Sequence, residues 1–264
     1  MLVQVIAIDI YPFQPETVPE NLYLQVDDLN NRFTFQAHNF DLVHSRLMAA
    51  AIHANRWAGY LQDMLRVVRP GGWCQLVELY HNAQSDNGRL TNDHALRQWS
   101  SSYVQSLNGL KDLRIALRLP AMMRAAGFVE IEYRMIPLHT CGVSFRFHNV
   151  KNLDTMGQFP NQHVLTSRLG NNDLFHVERL VHVVKRSVNS DCAEKHTSNS
   201  LTDPREHDIG TANRENVQQF LGSIAVYPFT ERLGMSIQDV QLLVAQARRE
   251  ADDPALKVKA NPER

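Results

Sequence analysis

The sequence predicts an α/β protein whose mostly parallel sheet is covered by helices on both sides. Two observations carry this prediction. Segments rich in Val, Ile and Leu alternate with segments of helical periodicity, and Pro-Gly or Gly-Phe junctions close the helices. Because parallel neighbours need right-handed crossovers, the elements should form a three-layer sandwich. The length of 264 residues is enough for such a core.

The composition excludes several classes of protein. Lys and Arg total 27 and Asp and Glu total 28, so the net charge is -1. This charge lacks the positive excess that is typical of nucleic-acid-binding proteins. We expect no membrane contact, because there is no apolar run of the roughly 18 residues that a transmembrane helix needs. Asp9 interrupts the first apolar stretch, which also lacks a basic flank, so a strand is expected instead of a signal peptide. The expected compartment is the cytoplasm, with the nucleus as the alternative.

Cysteine and histidine usage predicts no metal site. The chain has 3 cysteines, far apart in sequence, which favours a reducing compartment without a disulfide framework. Its 12 histidines form no HExxH pair, and no CxxC pair accompanies them. We therefore expect capping or solvated histidines.

Five strands are predicted in the first 141 residues, over 2–10, 21–26, 40–44, 73–80 and 128–137. The first is an almost unbroken apolar run and should be buried on both faces. One helix should end at Pro70-Gly71-Gly72, because Trp57, Leu61 and Val68 recur at helical spacing before it. A second helix is expected over Leu113–Ala126, closed by Gly127.

The C-terminal half divides into two segments. Residues 142–201 are polar and are predicted to be a disordered insertion with one short amphipathic helix over 176–184. A lid and translated intron sequence are both consistent with that stretch. Residues 202–264 should form a helical segment of the same domain, with helices over 216–224 and from a capping box at Ser236 to about residue 250. The last eight residues are expected to fray.

Acidic residues follow the first two predicted strands, where ligands of parallel sheets bind. Asp9 is placed to accept hydrogen bonds from the vicinal hydroxyls of a ribose, or it merely caps a turn. Asp28 could accept from an adenine amino group while Leu29 packs against the ring. A solvated turn at Asp27-Asp28 is the alternative.

Polar residues also follow the later strands. His44 and Ser45, in the run FDLVHSR, would face a ligand at the mouth of a cofactor site. Alternatively, Asp41 pairs locally and His44 packs at the end of the sheet. His81 follows the fourth strand and is a candidate general base, with a solvated loop histidine as the alternative.

Six blocks in one order carry a family resemblance: VIAIDIYPFQP, LYLQVDD, FDLVHSR, RVVRPGGW, QLVEL and MMRAAGFVEIE. Together they resemble the class I methyltransferases that use S-adenosylmethionine. The most similar group is that of fungal small-molecule methyltransferases, which includes the global regulator of secondary metabolism. The resemblance covers about residues 3–141 and resumes over about 203–253.

The resemblance implies a cofactor, S-adenosylmethionine, and six cofactor-binding positions: Asp9, Ile10, Asp28, Leu29, His44 and Ser45. By this resemblance Asp9 holds the ribose hydroxyls, and Asp28 and Leu29 frame the adenine. His44 and Ser45 lie near the methionine part. No catalytic residue is implied with comparable precision.

The implied fold is an incomplete Rossmann-like class I methyltransferase sandwich with a C-terminal helical segment. The family pattern begins with a strand and a Gly-rich loop, E/D-x-G-x-G-x-G, whereas the sequence begins at the following strand. The implied function is methyl transfer to a small molecule in fungal secondary metabolite biosynthesis, which depends on positioning of the two reactants. The alternative is an inactive homologue that serves as a regulatory or scaffold protein, with a partner chain covering open strand edges.

Overall fold

A computed structural model describes residues 3–12, 17–85, 87–135, 138–140, 180–185, 204–256 and 258–260. In these ranges the strands are β1 (Val5–Asp9), β2 (Leu22–Val26), β3 (Phe40–Arg46), β4 (Val68–Glu78), β5 (Ala83–Ser85), β6 (Val129–Met135), β7 (Leu138–His139), β8 (Leu180–Lys185) and β9 (Val258–Ala260). The α-helices are α1 (Trp57–Val67), α2 (Ala95–Ser106), α3 (Ile115–Ala126), α4 (Pro204–Ser223) and α5 (Ile237–Ala251), and a turn of π-helix spans Pro228–Arg232.

The described strands form three sheets, and the mixed α/β fold class is confirmed. β1 pairs with β2, the order β3-β4-β8-β6 makes the largest sheet, and β5-β9-β7 makes the third. The pairs β1–β2 and β3–β4 are parallel, as the sequence predicts. The carboxyl ends of the strands in each parallel pair therefore lie at one edge of their sheet. The other described pairs, β4–β8, β6–β8, β5–β9 and β7–β9, are antiparallel, so the described strands do not form the mostly parallel sheet that was predicted.

β4 begins earlier than predicted and runs through the Pro-Gly-Gly segment. Phe40 is opposite Val68, but Leu42 is opposite Trp73, so the extra residues of β4 form a bulge between these pairs. A Cβ on Gly72 would lie 2.8 Å from the carbonyl oxygen of Asp41, which only glycine avoids. The tight return from α1 into the sheet depends on this glycine.

The helix predicted over 176–184 is wrong where the structure describes it, because Leu180–Lys185 is strand β8. β8 is antiparallel to both β4 and β6. Its sequence, LVHVVK, is rich in valine, which favours a strand, and pairing on two edges outweighs the helical periodicity. The predicted insertion therefore contributes a strand to the main sheet. Its other residues, and the disorder predicted for them, lie outside the described ranges.

The burial predicted for the first strand is also wrong, although its position is confirmed. Most of β1 is exposed, and its partner β2 leaves Tyr23 53% and Val26 60% exposed. In the described part of the chain β1 pairs with β2 alone. Two strands without a covering layer expose both of their faces, however apolar their sequence.

The core lies between the main sheet and the helices. α1 buries Trp57, Leu61 and Met64 completely, and Leu119 of α3 joins the same cluster. The structure adds a helix that the sequence analysis did not predict, α2, which packs against α5. In α2, the indole N–H of Trp99 donates to the carbonyl oxygen of Leu221 at 3.0 Å.

The C-terminal segment is helical, as predicted, but its bounds differ. α4 is longer than the predicted 216–224, whereas the capping box of α5 is confirmed, with the Ser236 hydroxyl accepting the amide N–H of Asp239 at 3.1 Å. Part of the expected frayed tail is strand β9, which pairs with β5 and β7. No helix within the described ranges is both long and apolar enough to span a bilayer.

Candidate functional site

Asp9 and Asp27 lie together at the carboxyl edge of the β1–β2 sheet. Asp9 is the last residue of β1, and its carbonyl oxygen accepts the amide N–H of Asp27 at 3.1 Å. Oδ1 of Asp9 accepts the N–H of Tyr11 at 2.9 Å, a turn-capping contact. The Asp9 side chain is exposed, so a ligand at this edge can reach it.

Asp28 is the best-defined acceptor at this edge. Its Oδ1 accepts both the backbone N–H and the side-chain amide of Asn30, each at 3.0 Å. These hydrogen bonds are the main cause of its lowered pKa, and the charges of His53 and Lys111 add to them. The carboxylate is therefore ionised at neutral pH. Within the described ranges, those bonds leave its Oδ2 available to accept from a ligand.

Leu29 and Asn30 tie this edge to the segment that follows β3. The Asn30 amide donates to the carbonyl oxygen of Ala51 at 3.2 Å, and its Oδ1 accepts the N–H of His53 at 2.8 Å. The Leu29 side chain packs against the core, and its carbonyl oxygen accepts from Arg56 at 3.3 Å. The residues predicted to frame an adenine therefore sit beside the loop at the end of the main sheet.

A buried carboxylate on α1 holds the loop that carries these residues. Asp63 is 8% exposed and pairs with Arg56 at 2.5 Å and with Arg66 at 3.2 Å. The two guanidinium groups also donate to backbone carbonyls of the loop, those of Leu29, Asn31, Phe33 and Phe35. The cluster orders the backbone that follows Asp28.

β3 places His44 and Ser45 on opposite faces of the sheet. Ser45 is buried, and its hydroxyl accepts the hydroxyl proton of Tyr60 at 2.9 Å. His44 is exposed, and its Nδ1 lies 2.9 Å from Oε1 of Gln75. The structure therefore does not bring these two predicted residues together, since successive residues of a strand face opposite ways.

Glu78, the last residue of β4, is a site residue that the sequence analysis missed. Its two oxygens accept the backbone N–H groups of Met48 and Ala49 at 2.9 and 3.0 Å. Burial raises its pKa to about 8, although the two hydrogen bonds act in the opposite direction. A carboxylate at the end of an apolar strand was the available signal, the one that marked Asp9.

A cavity of about 180 Å³ opens beyond β3 and β4. Its lining is mostly apolar or aromatic: Leu47, Ala50, Glu78, Leu79, His81, Tyr103, Phe220 and Ile224. Leu47 has a φ of 58°, a strained left-handed conformation of the kind that clusters at functional sites. Its amide N–H donates to the carbonyl oxygen of Val77 at 2.8 Å, which holds it there.

His81 forms part of the cavity wall and is not a solvated loop histidine. Its ring stacks on Phe220, with centroids 6.1 Å apart and planes at 16°, and lies 5.4 Å from the ring of Tyr103. Burial lowers its pKa to about 4, so the imidazole is neutral at physiological pH. A neutral imidazole can accept a proton.

The two sites have complementary chemistry. The carboxylates at the β1–β2 edge suit hydroxyl or amino donors, and the cavity suits an uncharged apolar group. The described residues contain no group of three His, Cys, Asp or Glu side chains able to hold a metal ion.

Sequence comparison relates this chain to fungal proteins of secondary metabolism. It is 26% identical to the secondary metabolism regulator LAE1 of Cochliobolus heterostrophus, over 50% of the chain and 44% of the relative. It is 32% identical to the methyltransferase pytC of Aspergillus terreus, over 34% of the chain and 26% of the relative. The chain is a homologue of these regulators and methyltransferases. The resemblance predicted from its motifs is thus confirmed.

The homology is partial. The match to the methyltransferase cpsF of Aspergillus campestris has 29% identity, over 39% of the chain and 37% of the relative. The chain therefore spans less than half the length of these curated relatives. No family model matches the sequence.

Among solved structures, similar chains include the cyclase SpnF, at 17% identity and a TM-score of 0.35, over 51% of this chain and 46% of that one. A SAM-dependent methyltransferase from Methanosarcina mazei has 13% identity and a TM-score of 0.37, over 69% and 80% of the two chains.

Proposed function

We propose that this chain is an S-adenosylmethionine-dependent methyltransferase-like protein that acts on a small molecule in fungal secondary metabolism. The observation that carries the proposal is the homology to fungal methyltransferases and regulators of secondary metabolism. The ionised Asp28 at the carboxyl edge of a parallel strand pair supports it. The proposed compartment is the cytoplasm or the nucleus.

The residues at the β1–β2 edge fit the adenosine half of this cofactor. Its ribose hydroxyls and adenine amino group are hydrogen-bond donors, and Asp9 and Asp28 each present an acceptor oxygen there. The acidic edge also suits a positively charged sulfonium. When bound, the cofactor supplies an electrophilic methyl group.

The six proposed cofactor positions differ in how well the geometry supports them. Four of them lie at the carboxyl ends of a parallel strand pair: Asp9 and Ile10 at the end of β1, and Asp28 and Leu29 just after β2. Ser45, by contrast, is buried against Tyr60 and would act through that tyrosine. His44 lies on the other face of β3, beside Gln75. The adenosine contacts therefore form the stronger part of the proposal.

Titration calorimetry with S-adenosylmethionine tests the proposal. Asp28→Asn keeps an oxygen for the Asn30 bonds but replaces the second acceptor oxygen with a donor. We expect it to weaken cofactor binding at least about tenfold, the loss of roughly one charge-assisted hydrogen bond. Glu215→Gln, at an exposed carboxylate of α4, is the control and should bind like the wild type. Absence of binding heat at millimolar cofactor would overturn the proposal.

A regulatory or scaffold role is the second candidate function. The observation that favours it is the exposed apolar surface of β1 and β2, which includes Tyr23 and Val26. Incubating the protein with methyl-tritiated cofactor and a fungal metabolite extract separates the two functions. A labelled small molecule supports the enzyme, whereas cofactor binding without any labelled product supports the regulator.

A further inference from the structure

We propose that the cavity beyond β3 and β4 binds an uncharged aromatic alcohol as the methyl acceptor, and that His81 accepts the proton of its hydroxyl group. This inference rests on the proposed function, because it assigns the acceptor side of the same reaction. It uses the cavity residues alone, and none of the positions assigned to the cofactor.

The lining of the cavity selects for an uncharged ligand. Apolar and aromatic side chains make up most of it, and Glu78 is its only acidic or basic member besides His81. Both oxygens of Glu78 already accept backbone N–H groups, from Met48 and Ala49. An ionic ligand would lose its hydration there without gaining a partner, which is costly.

The shape of the cavity selects for a small flat ring. Tyr103 and Phe220 line the cavity with two aromatic rings that meet edge to face, with planes at 71°, and a planar ring can pack against them. The volume of about 180 Å³ is below the roughly 300–1,000 Å³ of sites that enclose drug-sized ligands. One or two fused rings fit this space better than a large polycyclic ligand.

His81 lies in the wall of the cavity, and its neighbours hold its ring in place. Stacking on Phe220 and contact with Tyr103 fix the plane of the imidazole. The backbone is held too, since the carbonyl oxygen of His81 accepts the hydroxyl proton of Ser100 at 3.1 Å. The pKa of about 4 that burial imposes keeps one ring nitrogen unprotonated at neutral pH.

The reaction balances with these groups. The hydroxyl O–H bond breaks and its proton moves to the free imidazole nitrogen, while an oxygen lone pair forms the new O–CH₃ bond. The C–S bond breaks, and its electron pair stays on sulfur, giving a neutral thioether. The imidazolium then releases its proton to water. Although its low pKa makes His81 a weak base, the hydroxyl proton becomes strongly acidic as the O–CH₃ bond forms, so a neutral imidazole can accept it.

The test uses 2-naphthol, a fluorescent aromatic alcohol that becomes a strong acid when excited. Wild-type protein should bind it and shift its emission to that of the naphtholate anion, because His81 takes the proton. His81→Phe keeps a ring in the wall and should still bind the probe but emit as neutral naphthol. His81→Gln is the second variant, for use if the phenylalanine variant does not fold. Equal emission from wild type and variant would overturn the proposal.

Two further measurements complete the design. The anion 2-naphthoate should bind at least tenfold more weakly than 2-naphthol, and equal binding would refute the assigned ligand class. Cofactor calorimetry on the same samples separates this inference from the proposed function. If the cofactor binds and naphthol does not, only the acceptor site is wrong. If naphthol binds with the His81 signature and the cofactor does not, the proposed function is wrong.

Discussion

Glu250 of α5 caps the N-terminus of α2, where its Oε2 accepts the amide N–H of Leu96 at 2.7 Å. Its Oε1 accepts the neighbouring N–H of Ala95 at 3.0 Å. One carboxylate therefore satisfies two of the free N–H groups at the start of the helix, at the positive end of its dipole. The residue that precedes the helix, His94, makes no side-chain cap.

Replacing this distant cap should destabilise the protein. We expect Glu250→Ala to lower the free energy of unfolding by about 1–2 kcal/mol, the usual cost of losing an N-cap. Glu215→Ala removes an exposed carboxylate of α4 and is the matched control, with an effect within about 0.5 kcal/mol. Urea unfolding followed by circular dichroism measures both. Equal midpoints for the two variants would contradict the capping role.

The buried Asp63 of α1 should be far more sensitive to substitution than the exposed Asp41 of β3. Asp63→Asn leaves the partly buried guanidinium groups of Arg56 and Arg66 without their counter-charge, and we expect a loss of about 3 kcal/mol. Asp41→Asn breaks an exposed ion pair with Arg69 and should cost less than about 1 kcal/mol. Thermal unfolding of both variants tests this order, and a larger effect at Asp41 would contradict it.

The raised pKa of Glu78 predicts a pH dependence of stability. Between pH 4.5 and about 8 the folded state binds more protons at Glu78 than the unfolded state, so this residue lowers stability as the pH rises. The slope approaches about 1.4 kcal/mol per pH unit, the value for one whole proton. His81 and His139, with pKa values lowered to about 4, act oppositely between pH 4 and 6.5.

Comparison with Glu78→Gln isolates the contribution of Glu78 to the pH dependence of stability, because both proteins keep the histidines. The stability difference, wild type minus variant, should fall steadily from pH 5 to pH 8 and level off above it. Glu132→Gln, at an exposed carboxylate of β6, serves as the control for removing an acid from the sheet. Urea titrations at five pH values provide the data. A difference that stays constant with pH would show that Glu78 does not titrate in this range.

The cap of α5 gives a simple local test. Ser236→Ala removes the hydroxyl that accepts from Asp239, and we expect a loss of about 1 kcal/mol. Ser101→Ala, at an exposed position inside α2, should be neutral or slightly stabilising because alanine is the better helix former. Denaturant midpoints of the two variants should therefore differ in direction. A stabilising Ser236→Ala would refute the cap.

The elements predicted correctly are those whose signals are local in sequence. The apolar runs of β1, β3 and β4, and the Ser236 capping box, each depend on neighbouring residues. The α2 helix was missed because its cap comes from Glu250, about 150 residues away, and because serines dilute its apolar pattern. The exposure of β1 depends on which elements pack beside it, and the apolar sequence of the strand does not encode those neighbours.

The candidate site divides in the same way. Asp9 and Asp28 are predictable because parallel strands bring their carboxyl ends to one edge. The position of Glu78 at a strand end carries the same signal, but its backbone partners at Met48 and Ala49 do not show in the sequence. The ring pair of Tyr103 and Phe220 is not predictable, because its two rings come from helices far apart in sequence. A polar residue such as Ser45 faces a ligand only if it lies on the right face of its strand. Packing decides which face that is, and the sequence of the strand does not show it.

The position of β8 has a consequence for the order in which the protein folds. β8 is the only described strand that joins β6 to β4, yet Leu180 pairs with Glu78, roughly 100 residues earlier in the chain. Closing a loop of that length must precede any gain from the pairing, so such contacts form slowly. During synthesis, β6 stays without its strand partner until the ribosome has released residue 185. We therefore expect the α3–β6 unit to join the sheet last.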